Sequence, residues 1–253
     1  MSKAAPAPLL RVENLSLSVA GRLLQKDLNF DVRRSEILAL MGGSGCGKST
    51  LMRHLVGLQQ PACGRVIYGD VDLAEADETE LTRLRSQFGV MFQAGALWSS
   101  MTVGENVMLP LTEFADLDEA GVEQVARFKL ALVGLDGAFD EMPSSLSGGM
   151  KKRAAIARAM ALDPPLLFLD EPSAGLDPLT SARLDELILK LRDHLGTSIV
   201  LVTHELSSIF AVADRALFLD AKEKTMTALD APQRLLESGP LAVREFLRRG
   251  EPA

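Results

Sequence analysis

The amino-acid sequence predicts an α/β protein in which helices cover a mostly parallel sheet. Two observations lead to this prediction. Strand-like apolar runs alternate with helical segments, and a glycine-rich loop joins one such run directly to a helix. With 253 residues and 47% hydrophobic content, the chain can bury one substantial core and still carry an inserted subdomain.

The first part of the chain combines short strands with two helices. Alternating apolar and polar residues predict antiparallel strands ahead of the glycine-rich loop, and continuous apolar runs predict buried strands around it. In chain order, the predicted strands are 9–19, 28–32, 36–41, 65–68 and 88–92, and the predicted helices are 49–55 and 75–85.

The pattern changes at residue 94, where glycine-containing loops begin to separate helical segments. We expect Pro110 and Pro143 to break this run. The predicted helices of this insertion are 103–108, 118–133 and 148–161. Beyond Pro165, the alternation returns, with strands 166–169, 198–202 and 215–219 and helices 180–195 and 206–212.

These patterns divide the chain into four parts. We expect a disordered tail at 1–8, an α/β core with a β subdomain at 9–93 and 162–222, a helical subdomain at 94–161, and a helical C-terminal tail at 223–253.

The glycine-rich loop has the spacing G-x-x-x-x-G-K-[ST]. It consists of Gly42, Gly43, Ser44, Gly45, Cys46, Gly47, Lys48, Ser49 and Thr50. Between a strand and a helix, such a loop lets backbone N–H groups converge on phosphate oxygens, and the helix N-terminus adds positive dipole. Lys48 can reach the β- and γ-phosphates, and the Ser49 hydroxyl can bind Mg²⁺. The motif therefore predicts a nucleoside triphosphate site.

Two adjacent acids end the apolar run 166–169. Because side chains alternate along a strand, Asp170 and Glu171 can serve different tasks. Asp170 would hold Mg²⁺ through water, and Glu171 would polarise an attacking water. Such acids also fit a solvated strand end, and it is Lys48 that favours the catalytic interpretation.

A second glycine pair precedes the predicted helix at 148–161. Ser147 is a good N-cap, and Gly148 and Gly149 leave the helix N-terminus open to an anion. Taken alone, this segment also fits an ordinary capped helix.

The motifs occur in one order along the chain. They are the phosphate loop, Gln93, Leu146–Met150, the two acids, Ser173–Asp177 and Thr203-His204. In this order the chain resembles the nucleotide-binding subunit of ATP-binding cassette (ABC) transporters, over roughly residues 10–220. The resemblance implies a P-loop NTPase with a RecA-like core, an antiparallel β subdomain and an inserted α-helical subdomain. It also implies a homodimer, in which each ATP lies between one subunit's phosphate loop and the other's Ser147–Gly149 signature.

The resemblance also assigns roles at the site, with ATP and Mg²⁺ as the cofactors. Gln93 would sense Mg²⁺ and the γ-phosphate and link the site to the membrane partner. Asp177 would lie at the dimer interface, and His204 would contact the γ-phosphate. The implied catalytic residues are Glu171, His204 and Lys48, and the implied Mg²⁺ ligands are Ser49, Gln93 and Asp170.

Two departures from the family pattern are informative. Residues 14–22 lack the aromatic side chain that many cassettes stack on adenine, so Val19 or another element must hold the base. Met150 stands where the family usually has glutamine. Together with residues 89–97, 101–107 and 171–178, this signature resembles the cassettes of MCE-linked (Mla-type) phospholipid and organic-solvent-resistance transporters.

The predicted function is an ATP-hydrolysing motor, peripheral on the cytoplasmic side of the inner membrane. Its implied partners are a multi-spanning permease and an MCE-domain lipid-binding protein. The alternatives are a cassette for another cargo, such as a lipoprotein, amino acid or drug, or a soluble ABC ATPase acting on ribosomes or DNA. The net charge of −7 argues against a nucleic-acid partner, and no apolar run approaches the roughly 18 residues that span a bilayer.

Two remaining segments have simple interpretations. We interpret Lys151-Lys152-Arg153 as a solvated helix face rather than a contact with lipid headgroups or a partner. We expect residues 240–247 to pack on the core of their own chain rather than dock a partner.

Overall fold

The computed structural model describes residues 7–93 and 95–248. Predictions for residues 1–6 of the N-terminal tail and for 249–253 lie outside the described residues. Within the described ranges, no helix has both the length and the apolar character needed to cross a bilayer.

The larger sheet has six strands in the order β10-β9-β3-β8-β7-β6. They are β3 (Ile37–Met41), β6 (Phe88–Met91), β7 (Leu166–Asp170), β8 (Ser198–Val202), β9 (Arg215–Asp220) and β10 (Thr225–Asp230). All neighbours are parallel except β9 and β10. Every residue of β3, β7 and β8 is buried, as expected for central parallel strands covered on both faces. The loops that follow β3, β6, β7 and β8 therefore meet at one edge.

The smaller sheet is antiparallel, with the order β2-β1-β4-β5. Its strands are β1 (Leu10–Val19), β2 (Arg22–Val32), β4 (Cys63–Tyr68) and β5 (Val71–Asp72). Inward-facing residues of β1 and β2 share one hydrophobic cluster with helix α1 (Lys48–Leu55) and one face of the larger sheet. The phosphate loop thus lies where the two sheets and α1 meet.

Three helices and two 3-10 turns form the insertion between β6 and β7. They are α3 (Val103–Phe114), α4 (Glu119–Leu132), α5 (Gly148–Ala159) and the turns Asp136–Ala138 and Pro143–Ser145. The expectation that Pro110 breaks the first helix is wrong, because α3 continues through it. Burial of Val107 and Leu111 on either side outweighs the hydrogen bond that proline cannot make.

The remaining helices are α2 (Glu78–Arg85), α6 (Pro178–Leu195), α7 (Leu206–Val212), α8 (Pro232–Ser238) and α9 (Leu241–Arg248). Val243 and Leu247 of α9 are fully buried in a cluster with Ala39 and Met41 of β3. The expectation that this segment packs on its own core is confirmed.

The helical tail predicted for 223–253 needs one correction, because residues Thr225–Asp230 form strand β10. Lys224 adopts a left-handed conformation (φ 53°) in the turn that reverses the chain after β9. Its carbonyl accepts a hydrogen bond from Lys26 N of β2 at 2.8 Å. All six residues of β10 are half-buried, and the strand forms by pairing with β9, with a register shift between Met226 and Ala228.

Candidate nucleotide-binding site

A cleft of about 720 Å³ opens at the carboxyl edge of the larger sheet. Side chains from the loops after β3, β6, β7 and β8 line it, namely the phosphate loop, Gln93, Glu171 and His204. The topology of the sheet therefore brings together four sequence motifs that are far apart in the chain.

Three glycines of the phosphate loop, Gly42, Gly45 and Gly47, have positive φ values that favour glycine. Gly42 has φ 146°, and a Cβ there would lie 2.5 Å from the carbonyl oxygen of Leu219. Gly47 has φ 103° and comes directly before α1, whose first turn has no side-chain cap. The N–H groups of that turn remain available to a phosphate.

Lys48 lies folded over the loop that precedes it. Its Nζ donates to the carbonyl oxygens of Gly42, at 2.9 Å, and Gly43, at 3.3 Å. The Cys46 thiol is buried beneath, 3.9 Å from the same Nζ. Burial raises the pKa of this thiol more strongly than Lys48 lowers it, so Cys46 stays a neutral packing residue at neutral pH.

Ser49 lines the cleft and is hydrogen-bonded to Asp170 at the end of β7. Ser49 Oγ donates to Asp170 Oδ1 at 3.2 Å, and Asp170 is only 5% exposed. Burial raises the pKa of Asp170, while the hydrogen bond from Ser49 and the charge of Lys48 lower it. A divalent cation beside Asp170 would offset the free-energy cost of keeping this buried carboxylate ionised. The described residues contain no group of three or more His, Cys, Asp or Glu side chains gathered for a metal, so phosphate and water would supply the other ligands.

Glu171 occupies an unusual backbone conformation directly after β7. Its φ is 51°, and its N–H donates to the carbonyl of Val202 in β8 at 2.8 Å. The side chain is 8% exposed, and His204 Nδ1 lies 2.8 Å from its Oε1. The hydrogen bond to β8 holds this conformation in place. The arrangement presents a carboxylate and an imidazole together at the edge of the cleft.

Gln93 is exposed at the rim, and its carbonyl oxygen accepts a hydrogen bond from Lys152 Nζ of α5 at 2.5 Å. The same ammonium donates to the carbonyl of Glu171 at 3.2 Å. Arg153 also points inward and donates to the carbonyls of Val133 and Gly134 at 2.9 and 3.1 Å. The interpretation of 151–153 as a solvated face is therefore wrong for two residues of three, since only Lys151 is exposed. Helix α5 is packed on several sides, which a run of like charges does not reveal.

The signature segment lies outside this cleft. Ser147 caps α5 by accepting from Met150 N at 3.3 Å. Ser147 and Gly149 line a separate cavity of about 550 Å³ between α4, α5 and α6. A Cβ on Gly149 would lie 2.6 Å from Thr180 Cγ2, so only glycine fits against α6 there.

Asp177 is exposed and caps α6. Its carboxylate accepts from Thr180 Oγ1 at 2.6 Å and from Thr180 N at 3.0 Å. These hydrogen bonds, the side-chain one first, lower the pKa of Asp177, so it stays ionised at the surface near the signature.

Sequence reasoning missed four residues at or beneath the cleft. Leu24, Leu206 and Phe246 line it, whereas Val19, the residue suggested for the adenine, does not belong to the lining. Gln25 is fully buried beneath the phosphate loop and donates to the carbonyls of Cys46, at 2.8 Å, and Asp220, at 3.1 Å. The strand predicted from the sequence begins at residue 28, whereas β2 begins at Arg22, so the inward-facing position of Gln25 could not be predicted. No sequence pattern indicated Phe246, because it reaches the cleft from the C-terminal helix α9, far from the other lining residues in the chain.

Comparison with known proteins identifies relatives along the whole chain. A family model described as ABC transporter matches residues 25–174. The intermembrane phospholipid transport system ATP-binding protein MlaF of Haemophilus influenzae is 37% identical over 240 residues, which are 95% of this chain and 90% of that protein. MlaF of Escherichia coli K12 is 36% identical over 241 residues, 95% of this chain and 89% of that one. The probable ribonucleotide transport ATP-binding protein mkl of Mycobacterium tuberculosis H37Rv is 37% identical over 94% of this chain and 66% of its own length.

Solved structures of ATP-binding cassettes share the fold. The cbiO1 protein of Clostridium perfringens, part of an ABC transporter complex, superposes with a TM-score of 0.82 at 27% identity, covering 96% of this chain and 94% of that chain. Dimeric MJ0796, bound to ADP and Pi in a post-hydrolysis state, gives a TM-score of 0.78 at 28% identity and covers 88% of this chain and 98% of its own. The predicted P-loop NTPase fold is confirmed. The chain belongs to the ABC transporter family, as an ATP-binding subunit with ATPase activity.

Proposed function

We propose that this chain hydrolyses MgATP as a homodimer and that the cycle drives phospholipid transport through a multi-spanning permease. The observation that carries the catalytic part is the buried Glu171 carboxylate, which shares one cleft with Lys48, His204 and an open helix N-terminus. The cargo part is supported by the similarity to phospholipid-transport ATP-binding proteins along almost the full length of both chains.

Binding begins at the phosphate loop. The N–H groups between Gly42 and Thr50 receive the phosphate oxygens, and Lys48 exchanges its bonds to the Gly42 and Gly43 carbonyls for bonds to the β- and γ-phosphates. Leu24 and Phe246 provide apolar surface in the same cleft.

Mg²⁺ suits the oxygen donors at the centre of the cleft. Ser49, Asp170 and Gln93 are the residues that would hold it, with Asp170 acting through water. The ion would neutralise charge on the phosphate oxygens.

Hydrolysis needs a water aligned with the γ-phosphorus. The Glu171 carboxylate orients that water and accepts its proton as the new phosphorus–oxygen bond forms and the bond to the β-phosphate oxygen breaks. His204, 2.8 Å from Glu171 and 62% exposed, contacts the γ-phosphate and holds the carboxylate in place. Lys48 stabilises the developing charge.

The dimer completes each site. Because the signature of one chain lies in a different cavity from its own cleft, Ser147, Gly148 and Gly149 act on the ATP of the second copy. Asp177 lies beside the signature at the same surface. ATP draws the two copies together, and its hydrolysis removes the bridge.

An apolar groove offers a docking site for the permease. The groove has a volume of about 450 Å³ and includes Trp98 and Phe114, which are 57% and 55% exposed. Arg158, which also lines it, donates to the carbonyls of Gly95 and Ala96 just after Gln93. A permease segment in the groove would therefore sense movement at Gln93. In this arrangement the chain is peripheral, on the cytoplasmic side of an inner membrane.

Co-purification from the native membrane tests the proposal. The tagged chain is extracted in mild detergent, and its partners are identified by mass spectrometry. We expect a multi-spanning permease together with an MCE-domain lipid-binding protein, and we expect Phe114→Asp to release both while Phe128→Asp, at another exposed aromatic residue, releases neither. A permease without an MCE protein would contradict the phospholipid cargo, and recovery of ribosomes alone would contradict transport.

The similarity to mkl supports a second cargo, ribonucleotides. The ATPase activity of the purified complex distinguishes the phospholipid cargo from the ribonucleotide cargo. Stimulation by added phospholipid and not by ribonucleotide supports the first cargo, and the opposite result supports the second.

A further inference from the structure

Helix α5 carries two kinds of contact. Its N-cap, Ser147, begins the signature, and its fifth residue, Lys152, donates to the backbone carbonyls of Gln93 and Glu171, two residues that line the cleft of the same chain. At a rise of about 1.5 Å per residue, the two positions are roughly 7.5 Å apart along the helix axis. A helix segment this short moves as one rigid unit.

Lys152 bonds to the two loops that would detect the nucleotide. It donates to the carbonyl of Gln93 at 2.5 Å, after β6, and to the carbonyl of Glu171 at 3.2 Å, after β7. Both acceptors are backbone atoms, so the contact follows the position of the loops whatever their side chains bind. Arg158, farther along α5, holds Gly95 and Ala96 in the same way.

The charge of Lys152 lies among acids. It is half-buried, and Glu171, Asp170 and Glu205 all act on it electrostatically. Burying an ammonium group costs desolvation free energy even when two carbonyls accept from it and three carboxylates lie nearby. We therefore expect the position of Lys152 to serve a function. A neutral residue of the same length would fill the space but would bind neither loop.

We propose that Lys152 is a positioning residue that couples the two ATP sites of the dimer. Through it, a shift of Gln93 or Glu171 at one subunit's ATP moves that subunit's signature, which contacts the partner's ATP. This inference rests on the proposed function, since it needs both the dimer and the role of Glu171.

The test compares three variants by steady-state ATPase kinetics. We expect Lys152→Met to lower kcat about tenfold, because hydrogen bonds to charged groups are lost at two loops, and to reduce the Hill coefficient for ATP to one. Lys152→Arg keeps a charge that can donate twice, and we expect it to restore most of kcat and the cooperativity. Lys151→Met is the matched control, because Lys151 is the exposed neighbour on the same helix, and it should behave as the parent.

Two results would overturn the proposal. One is parental cooperativity and kcat in Lys152→Met. The other is an equal loss in Lys152→Met and Lys152→Arg together with a lowered melting temperature in both, which would make Lys152 a residue of stability only.

A second measurement separates this inference from the proposed function. In a Glu171→Gln background, ATP-driven dimerisation is followed by light scattering with and without Lys152→Met. A steeper ATP dependence with Lys152 present supports the coupling even if Glu171 is not the base. If Lys152→Met leaves the ATP dependence of dimerisation unchanged, the coupling is contradicted. If Glu171→Gln is inactive in the same experiment, the assignment of Glu171 as the base still stands.

Discussion

The phosphate-loop cleft and the signature differ in how complete they are within one chain. In the cleft, Ser49 with Asp170 and Glu171 with His204 already form pairs that face a common space. At the signature, Ser147 accepts a hydrogen bond from Met150 N of its own helix, and Gly149 faces α6 and an open cavity. In the proposed function, the first region supplies the catalytic groups and the second supplies a helix end for the partner's ATP. The difference supports the proposal that each region works with the opposite region of a second copy.

The largest expected effect lies in the cleft. Glu171→Gln should lower ATP hydrolysis at least about a hundredfold, because the amide cannot accept the proton of water, while ATP still binds and holds a dimer. Phosphate release and size-exclusion chromatography with ATP measure the two properties. Glu237→Gln, on the exposed surface of α8, is the control. Hydrolysis at the parent rate in Glu171→Gln would mean that another group is the base.

Mixing two inactive variants tests the comparison directly. Lys48→Ala should abolish ATP binding at the cleft, and Ser147→Arg should block the signature, so each alone should be inactive. A mixture should recover activity, at most about a quarter of the parental rate, because about half of randomly formed dimers contain one intact site of two and coupling between sites lowers the rate of a lone site further. Equal mixing is checked by mass spectrometry of the dimers. If the mixture stays inactive although mixed dimers form, the two regions do not complement each other between chains.

A smaller effect concerns the support beneath the phosphate loop. Gln25→Leu removes the two hydrogen bonds to the carbonyls of Cys46 and Asp220. We expect KM for ATP to rise about fivefold, with kcat within a factor of about two. The reason is that a phosphate loop with less support binds ATP more weakly but still positions the bound phosphates for hydrolysis. Gln233→Leu on α8 is an exposed control. A fall in kcat without a change in KM would contradict a role in phosphate binding.

The last prediction concerns the stability of the fold at helices α6 and α7 and not the ATPase rate. Asp185 of α6 is 8% exposed, accepts a hydrogen bond from Ser208 of α7 at 2.9 Å, and burial raises its pKa to about 6. Because the folded protein holds this proton more tightly than the unfolded chain does, stability falls as pH rises from about 4 to 6 and stays low above that. Asp185→Asn should therefore stabilise the protein at pH 8 by at most about 3 kcal/mol, and the gain should vanish near pH 4.

Thermal unfolding of Asp185→Asn and the parent across this pH range measures the effect. Glu186→Gln, at an exposed acid on the same helix, is the control. A gain of equal size at pH 4 and pH 8 would show that the substitution acts through packing and not through charge.

Much of the fold could be predicted because its signals are local. Continuous apolar runs predicted β3, β7 and β8, whose residues are all buried. The glycine spacing predicted the phosphate loop, since only glycine adopts φ values such as those of Gly42 and Gly47 without strain. Strand β10 and the passage of α3 through Pro110 could not be predicted, because pairing and burial far along the chain decide them.

The sequence by itself determined which groups can bind phosphate and where they fall along the chain, because loop spacing and strand ends are properties of neighbouring residues. Only the tertiary structure decided which of them touch. The contact between Glu171 and His204 spans 33 positions, that between Lys152 and Gln93 spans 59, and that between Gln25 and Asp220 spans 195. Such contacts depend on the parallel order of the strands and on the packing of α5 across their edge, and no local pattern of residues encodes a distance through the core.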